Sequence, residues 1–176
     1  RLLGDDSVGI GYGTIVRSRR SVGLGRESSI GYGSMNATAV GTNTKISENA
    51  GNTVALGNSA KIGAEAINSM ALGYNSNVGE KSSNSTAIGT NASVINNATS
   101  AVALGDSAKV SESSSTALGR LAEASHANSV ALGYRSTTFY YGNPNTREAS
   151  TSTTESDTNK PGLEIEPYLP PSVSEG

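Results

Sequence analysis

The chain has 176 residues, enough for one domain, and its 13 Lys and Arg against 15 Asp and Glu give a formal net charge of −2. It carries no cysteine, no tryptophan, one phenylalanine and 21 glycines. These values exclude disulfides and thiolate chemistry, give no basic surface for nucleic acid, and leave too few large side chains for a round core.

From the N-terminus, the first recognisable unit is Val8-Gly9-Ile10-Gly11, followed by Thr14-Ile15-Val16. The same pair of short segments returns as Val22-Gly23-Leu24-Gly25 with Ser28-Ser29-Ile30, and as Thr38-Ala39-Val40-Gly41 with Thr44-Lys45-Ile46. A partial extra motif, Ser29-Ile30-Gly31-Tyr32-Gly33, makes the first third slightly irregular. The pattern then runs regularly through Val54-Ala55-Leu56-Gly57, Met70-Ala71-Leu72-Gly73 and Thr86-Ala87-Ile88-Gly89. It ends with Val102-Ala103-Leu104-Gly105, Thr116-Ala117-Leu118-Gly119 and Val130-Ala131-Leu132-Gly133. The closing glycines of the nine copies lie 14 or 16 residues apart. A repeat this short cannot bury a core alone, so its copies must stack.

Large and small residues alternate around each glycine, which is strand periodicity. Leu24, Leu56, Leu72, Ile88, Leu104, Leu118 and Leu132 form a large column, expected to face an apolar interior as the core of the repeat. Ala39, Ala55, Ala71, Ala87, Ala103, Ala117 and Ala131 form a small column. Its uniformity predicts a very close neighbour; on an outer face, it would let chains pack tightly together. A second short strand ends at Val16, Ile30, Ile46, Ile62, Val78, Val94 and Val110, and weakens to Ala124 and Thr138 as the stack approaches its end. Glycine, β-branched residues and the lack of a 3.6-residue period disfavour helices. The reading is an all-β, parallel β-solenoid of about nine coils, two strands per coil, about 43 Å long at ~4.8 Å per coil. So little area is buried per coil that oligomerisation is expected.

The stretches Asn52-Thr53-Val54-Ala55-Leu56-Gly57-Asn58-Ser59 and Asn128-Ser129-Val130-Ala131-Leu132-Gly133-Tyr134-Arg135-Ser136 resemble the repeat of YadA-like head domains of trimeric autotransporter adhesins. Similar repeats occur in trimeric phage tail fibres. The resemblance spans residues 6–138. It implies a left-handed parallel β-roll assembled as a homotrimer on the bacterial cell surface, tethered to the outer membrane by parts outside this segment. The implied partners are host extracellular-matrix proteins such as collagen or fibronectin, surface receptors, or other copies in cell aggregation. The alternative it allows is a structural or receptor-binding segment of a fibre, on a virion tail or a surface filament. Residues 1–138 are therefore assigned to head repeats. Residues 139–176, which hold all five prolines and are rich in Ser and Thr, are assigned to a capping, strand-exchanging or linker tail. The family's usual neck sequence is missing there, and no anchor or stalk pattern is present.

No catalytic constellation is present, no cofactor or metal is expected, and the segment is not expected to enter a membrane. The single histidine, His126, lacks a metal-binding partner in sequence and reads as a loop residue. Two sets of candidate ligand-binding residues stand out. Arg17, Arg19, Arg20 and Arg26 form a basic cluster in the first two coils, suited to an anionic glycan or matrix protein. Tyr12, Tyr74 and Tyr134 follow repeat glycines, with Tyr32 in the irregular copy, and offer apolar area with a hydroxyl. A third recurrence, Asn36, Asn52, Asn68, Asn84 and Asn128, predicts a hydrogen-bonded ladder joining the coils.

Overall fold

A computed structural model describes residues 4–138. Within them the chain winds into a parallel β-roll with no helix. In chain order the strands are β1 (Val8–Ile10), β2 (Ile15–Val16), β3 (Val22–Leu24), β4 (Ser29–Ile30), β5 (Thr38–Val40) and β6 (Lys45–Ile46). Next come β7 (Val54–Leu56), β8 (Lys61–Ile62), β9 (Met70–Leu72), β10 (Asn77–Val78), β11 (Thr86–Ile88) and β12 (Ser93–Val94). The last are β13 (Val102–Leu104), β14 (Lys109–Val110), β15 (Thr116–Leu118), β16 (Glu123–Ala124) and β17 (Val130–Leu132). The odd strands form one nine-stranded sheet and the even strands one eight-stranded sheet, each in chain order. A bridge from Glu123 to Thr137 begins the ninth rung of the second sheet.

Register is strict. Every repeat pairs like with like, Val54 with Met70, Ala55 with Ala71 and Leu56 with Leu72. The two-residue change in repeat length is absorbed outside the strands, because Val102, Ala103 and Leu104 still pair with Thr116, Ala117 and Leu118 across a 14-residue repeat. Backbone amides carry the stacking, with Gly57 N–H donating to Val40 at 2.9 Å and Gly73 N–H to Leu56 at 2.8 Å.

Each repeat glycine turns the chain from one sheet to the other, at φ between +114° and +139°. Two residues later comes a second left-handed position, filled by Asn43, Ser59, Asn75 and Asn91 among others. This glycine edge is one narrow side of the roll. The loop edge, where the even strands return to the odd ones, is the other. Gly31-Tyr32-Gly33 lies on that loop edge after β4, so the irregular motif makes no extra coil.

The interior reverses the expected polarity of the first strand. Ala39, Ala55, Ala71, Ala87, Ala103, Ala117 and Ala131 are fully buried, whereas Leu104, Leu118 and Leu132 are exposed and Leu24, Leu56, Leu72 and Ile88 only half-buried. The alanines point into the roll, and the leucines point out. The reason is visible at Gly23, where an added methyl would stand 2.8 Å from Cγ2 of Val16 and 3.2 Å from Cγ2 of Thr14. Val16, Ile30, Ile46, Ile62, Val78, Val94 and Val110 of the second strand fill the space between the sheets. Large residues from one sheet leave room only for Ala or Gly from the other. The close neighbour of the small column is thus the chain's own opposite sheet.

Buried hydroxyls close the two edges. Thr14 Oγ1 donates to the carbonyl of Gly25 at 2.6 Å, and Thr44 Oγ1 to Gly57 at 2.9 Å. On the loop edge, Ser85 Oγ donates to the Ala98 carbonyl at 2.9 Å and accepts from the Ala101 amide at 3.0 Å. No buried side-chain N or O among the described residues lacks a partner, which satisfies the condition for burying polar groups. The tail assigned to residues 139–176 lies outside the described residues.

Candidate binding surfaces

Four surfaces follow from this geometry: two sheet faces and two edges. The outer face of the nine-stranded sheet is mainly apolar, interrupted at Thr38, Thr86 and Thr116. It carries Val8 and Ile10 at the first coil, Met70, Leu104 and Leu118 further on, and Val130 and Leu132 at the last. Ile10 and Leu132 are each 62% exposed. A soluble single chain rarely presents so extended an apolar face without a partner for it.

The glycine edge gathers one column of side chains: Tyr12, Arg26, Thr42, Asn58, Tyr74, Thr90, Asp106, Arg120 and Tyr134. Tyr12, Tyr74 and Tyr134 are all exposed and lie four coils apart, about 19 Å at ~4.8 Å per coil. The guanidinium of Arg26 lies 6.0 Å from the Tyr12 ring centre. Those of Arg120 and Arg135 lie 5.5 and 5.9 Å from Tyr134. Arg120 also pairs with Asp106 at 3.3 Å. Each such stack adds a few tenths to about 1 kcal/mol at an exposed site and holds the arginine against the edge.

The four-arginine cluster does not survive as one patch. Arg17, Arg19 and Arg20 lie on the loop edge, and Arg26 on the glycine edge opposite. Arg17 stacks on Tyr32 at 5.5 Å, Arg19 pairs with Asp5 at 3.5 Å, and Arg26 pairs with Glu27 at 3.5 Å. Sequence proximity within a coil therefore placed together residues that the roll separates. Three of the four arginine–tyrosine pairs it builds instead join residues 14 or 15 positions apart, one coil on, and the fourth joins the neighbours Tyr134 and Arg135.

The asparagine ladder forms on the loop edge from Asn36 to Asn84, and Asn128 stands apart from it because Ser100 and Ser114 fill the two turns between. Asn36 Nδ2 donates to Asn52 at 3.0 Å, Asn52 to Asn68 at 3.2 Å, and Asn68 to Asn84 at 3.2 Å. Asn75 donates to Asn91 at 2.9 Å on the glycine edge. All these residues sit at φ between +53° and +57°. Asparagine tolerates that region better than other side chains, so the turns themselves select it. His126 is half-buried in the last loop, with Nδ1 3.3 Å from Thr138 Oγ1 and its carbonyl accepting from Ser115 at 2.6 Å. No group of three His, Cys, Asp or Glu among the described residues could hold a metal ion. No helix among them is long and apolar enough to cross a membrane.

The described chain is thus a parallel β-solenoid whose repeat is a glycine-turned pair of strands. Residues 64–92, 97–122 and 111–136 match the family model described as the YadA head domain repeat, two copies. The fold is similar to the crystal structure of the collagen-binding domain of the Yersinia adhesin YadA, at 22% identity, over 97% of this chain and 90% of that one, with a TM-score of 0.65. No curated protein sequence matches the chain. The matched segments between residues 64 and 136 thus carry repeats of the YadA head type, and the roll that holds them is similar in fold to the Yersinia domain.

Proposed function

We propose that this roll is the head of a trimeric adhesin on a bacterial surface, tethered to the outer membrane by parts outside this segment. It binds host extracellular-matrix protein or a surface receptor, or other heads in cell aggregation, and carries out no catalysis. The observation that carries the reading is the apolar outer face running from Ile10 to Leu132. Three copies packed through that face would bury its Val and Leu columns, and the interface falls on the large residues rather than on the alanines. Packing of this kind supplies apolar burial that each thin coil lacks, at roughly 25 cal/mol per Å². Support for a matrix-binding role comes from the similar Yersinia domain, which binds collagen. The glycine edge, with Tyr12, Tyr74 and Tyr134 beside Arg26, Arg120 and Arg135, is the proposed contact surface, since Tyr and Arg dominate protein interfaces. Arg17, Arg19 and Arg20 with Tyr32 form a second, smaller contact on the loop edge.

Light scattering of residues 1–176 and of residues 1–138 tests the assembly, and binding to immobilised collagen and fibronectin tests the role. A trimer that binds matrix protein supports an adhesive head. A trimer that binds neither protein nor cells favours a spacer within a fibre, and a folded monomer overturns the packing.

A further inference from the structure

The outer face of the eight-stranded sheet differs from every other surface of the roll. Its outward strand positions read Ile15, Ser29, Lys45, Lys61, Asn77, Ser93, Lys109 and Glu123. In the middle of this column, Lys45 and Lys61 are direct register partners on β6 and β8, and both are exposed. Like charges directly opposite on neighbouring strands repel. Elsewhere the chain avoids this arrangement: Lys109 faces Glu123 on the next rung at 2.9 Å, and Arg120 faces Asp106 at 3.3 Å. Neither Lys45 nor Lys61 forms an ion pair with a carboxylate among the described residues.

The surroundings of the pair are flat and polar. Ser29 lies one rung above and Asn77 one rung below. Beside the column, at the positions two residues on, stand Gly31, Ser47, Gly63 and Gly79. A Cβ at Gly31 would meet the backbone of Ser47 and Glu48 at 2.9 Å, so close coil stacking keeps side chains off this strip at its glycines and leaves Ser47 as the one side chain among these four positions. The result is a shallow shelf alongside two cations about 4.8 Å apart along the roll axis. From β4 to β10 no apolar side chain points outward on it, so it lacks the anchor that protein partners generally use. When the apolar face of the other sheet is covered, this face remains outward.

We propose that Lys45 and Lys61 form a two-rung anion site for a sulfated polysaccharide lying along the roll axis. Sulfate groups would neutralise the paired ammoniums, which as compact, flexible point charges need no fixed bidentate geometry. Sugar hydroxyls would find partners at Ser29, Ser47 and Asn77. The site rests on the adhesin reading and names one class of its ligands.

The test uses the full chain and immobilised heparin as the sulfated probe, with collagen binding measured in parallel. Circular dichroism checks that the variants are folded. The expected result is saturable, salt-sensitive heparin binding that Lys45→Gln with Lys61→Gln weakens roughly tenfold, while Lys81→Gln on the loop edge changes it less than about twofold. Equal heparin binding by the double variant and the parent overturns the site, as does an absence of heparin binding at low salt. Displacement of heparin by poly-glutamate as effectively as by free heparin also overturns it, since the partner would then be an acidic polypeptide. Heparin binding through the pair without collagen or fibronectin binding would sustain this site and overturn the matrix-protein reading. Matrix binding with no effect of the two lysines would do the reverse.

Discussion

A side chain at Gly73 would put its Cβ 2.5 Å from the carbonyl oxygen of Gly89, the equivalent glycine one coil further on. The same approach recurs down the column, and at Gly73 the backbone is also in the left-handed region at φ +132°. Two demands therefore fall on one residue: a backbone conformation that L side chains rarely adopt, and a neighbouring chain too close for a methyl group. This is the physical origin of the glycine beat in the sequence.

Gly73→Ala should therefore cost about 3 kcal/mol or more, because strain and overlap with backbone add and neither can relax alone. Gly51→Ala is the comparison. Its Cβ would meet only the Met35 backbone, the carbonyl oxygen at 3.3 Å and the nitrogen at 3.7 Å, at an ordinary φ, so the cost should stay at ~1 kcal/mol or below. Urea midpoints of the two variants decide this: equal midpoints would refute the stacking account of the glycine.

Ala71 and Leu72 are adjacent in sequence but point to opposite faces, and their substitutions should fail in different ways. Ala71 is fully buried between the sheets, so Ala71→Leu should overpack the interior by about 1–3 kcal/mol or prevent that coil from forming. Leu72 faces outward and is half-buried, so Leu56→Ser with Leu72→Ser should leave the coil folded and lower the oligomer mass. Circular dichroism with light scattering separates the two. If the double serine variant unfolds while keeping its mass, the leucines belong to the interior and the assignment of faces is wrong.

The repeat, the two strands per coil, the parallel stacking and the loop-length variation were legible in the residues, because strand period and glycine spacing are local signals. Which face was interior was not. Alternation of Ala55 with Val54 and Leu56 is symmetric, and the ordinary expectation that large apolar residues go inward selected the wrong side. Two signals pointed the other way. The second strand already supplies Ile30, Ile46 and Ile62 to a thin interior, which leaves space only for small partners. The outward column also admits Thr38, Thr86 and Thr116, none of which is fully buried. The arginines failed as a cluster for a related reason: neighbours in the roll are one coil apart, so Arg26 meets Tyr12 rather than Arg20.

Asn68 combines two roles that substitution can divide. It accepts from Asn52 and donates to Asn84, both at 3.2 Å, and it occupies φ +56°. Asn68→Gly removes the ladder contacts but suits the backbone, whereas Asn68→Ala removes the contacts and adds strain of about 1 kcal/mol. The alanine variant should melt below the glycine variant, and both below the parent. A glycine variant as stable as the parent would mean that the exposed amide ladder adds nothing and that conformation alone selects asparagine here.

What joins one coil to the next should be interior packing and the backbone ladder rather than charge. The Lys109–Glu123 pair is short, at 2.9 Å, but its side chains are 48% and 39% exposed, and solvent screens such pairs to below about 1 kcal/mol. Ile62 is 1% exposed among the largest interior side chains, and Ile62→Ala should cost about 2–5 kcal/mol because its neighbours can collapse only partly into the space left. In a stack where each coil touches only its neighbours, that loss also weakens the coupling between the halves on either side. Ile62→Ala should therefore broaden the unfolding transition or split it, while Glu123→Gln should shift it little at any salt concentration. A large, salt-dependent loss in Glu123→Gln would show that the charged rung is a structural tie.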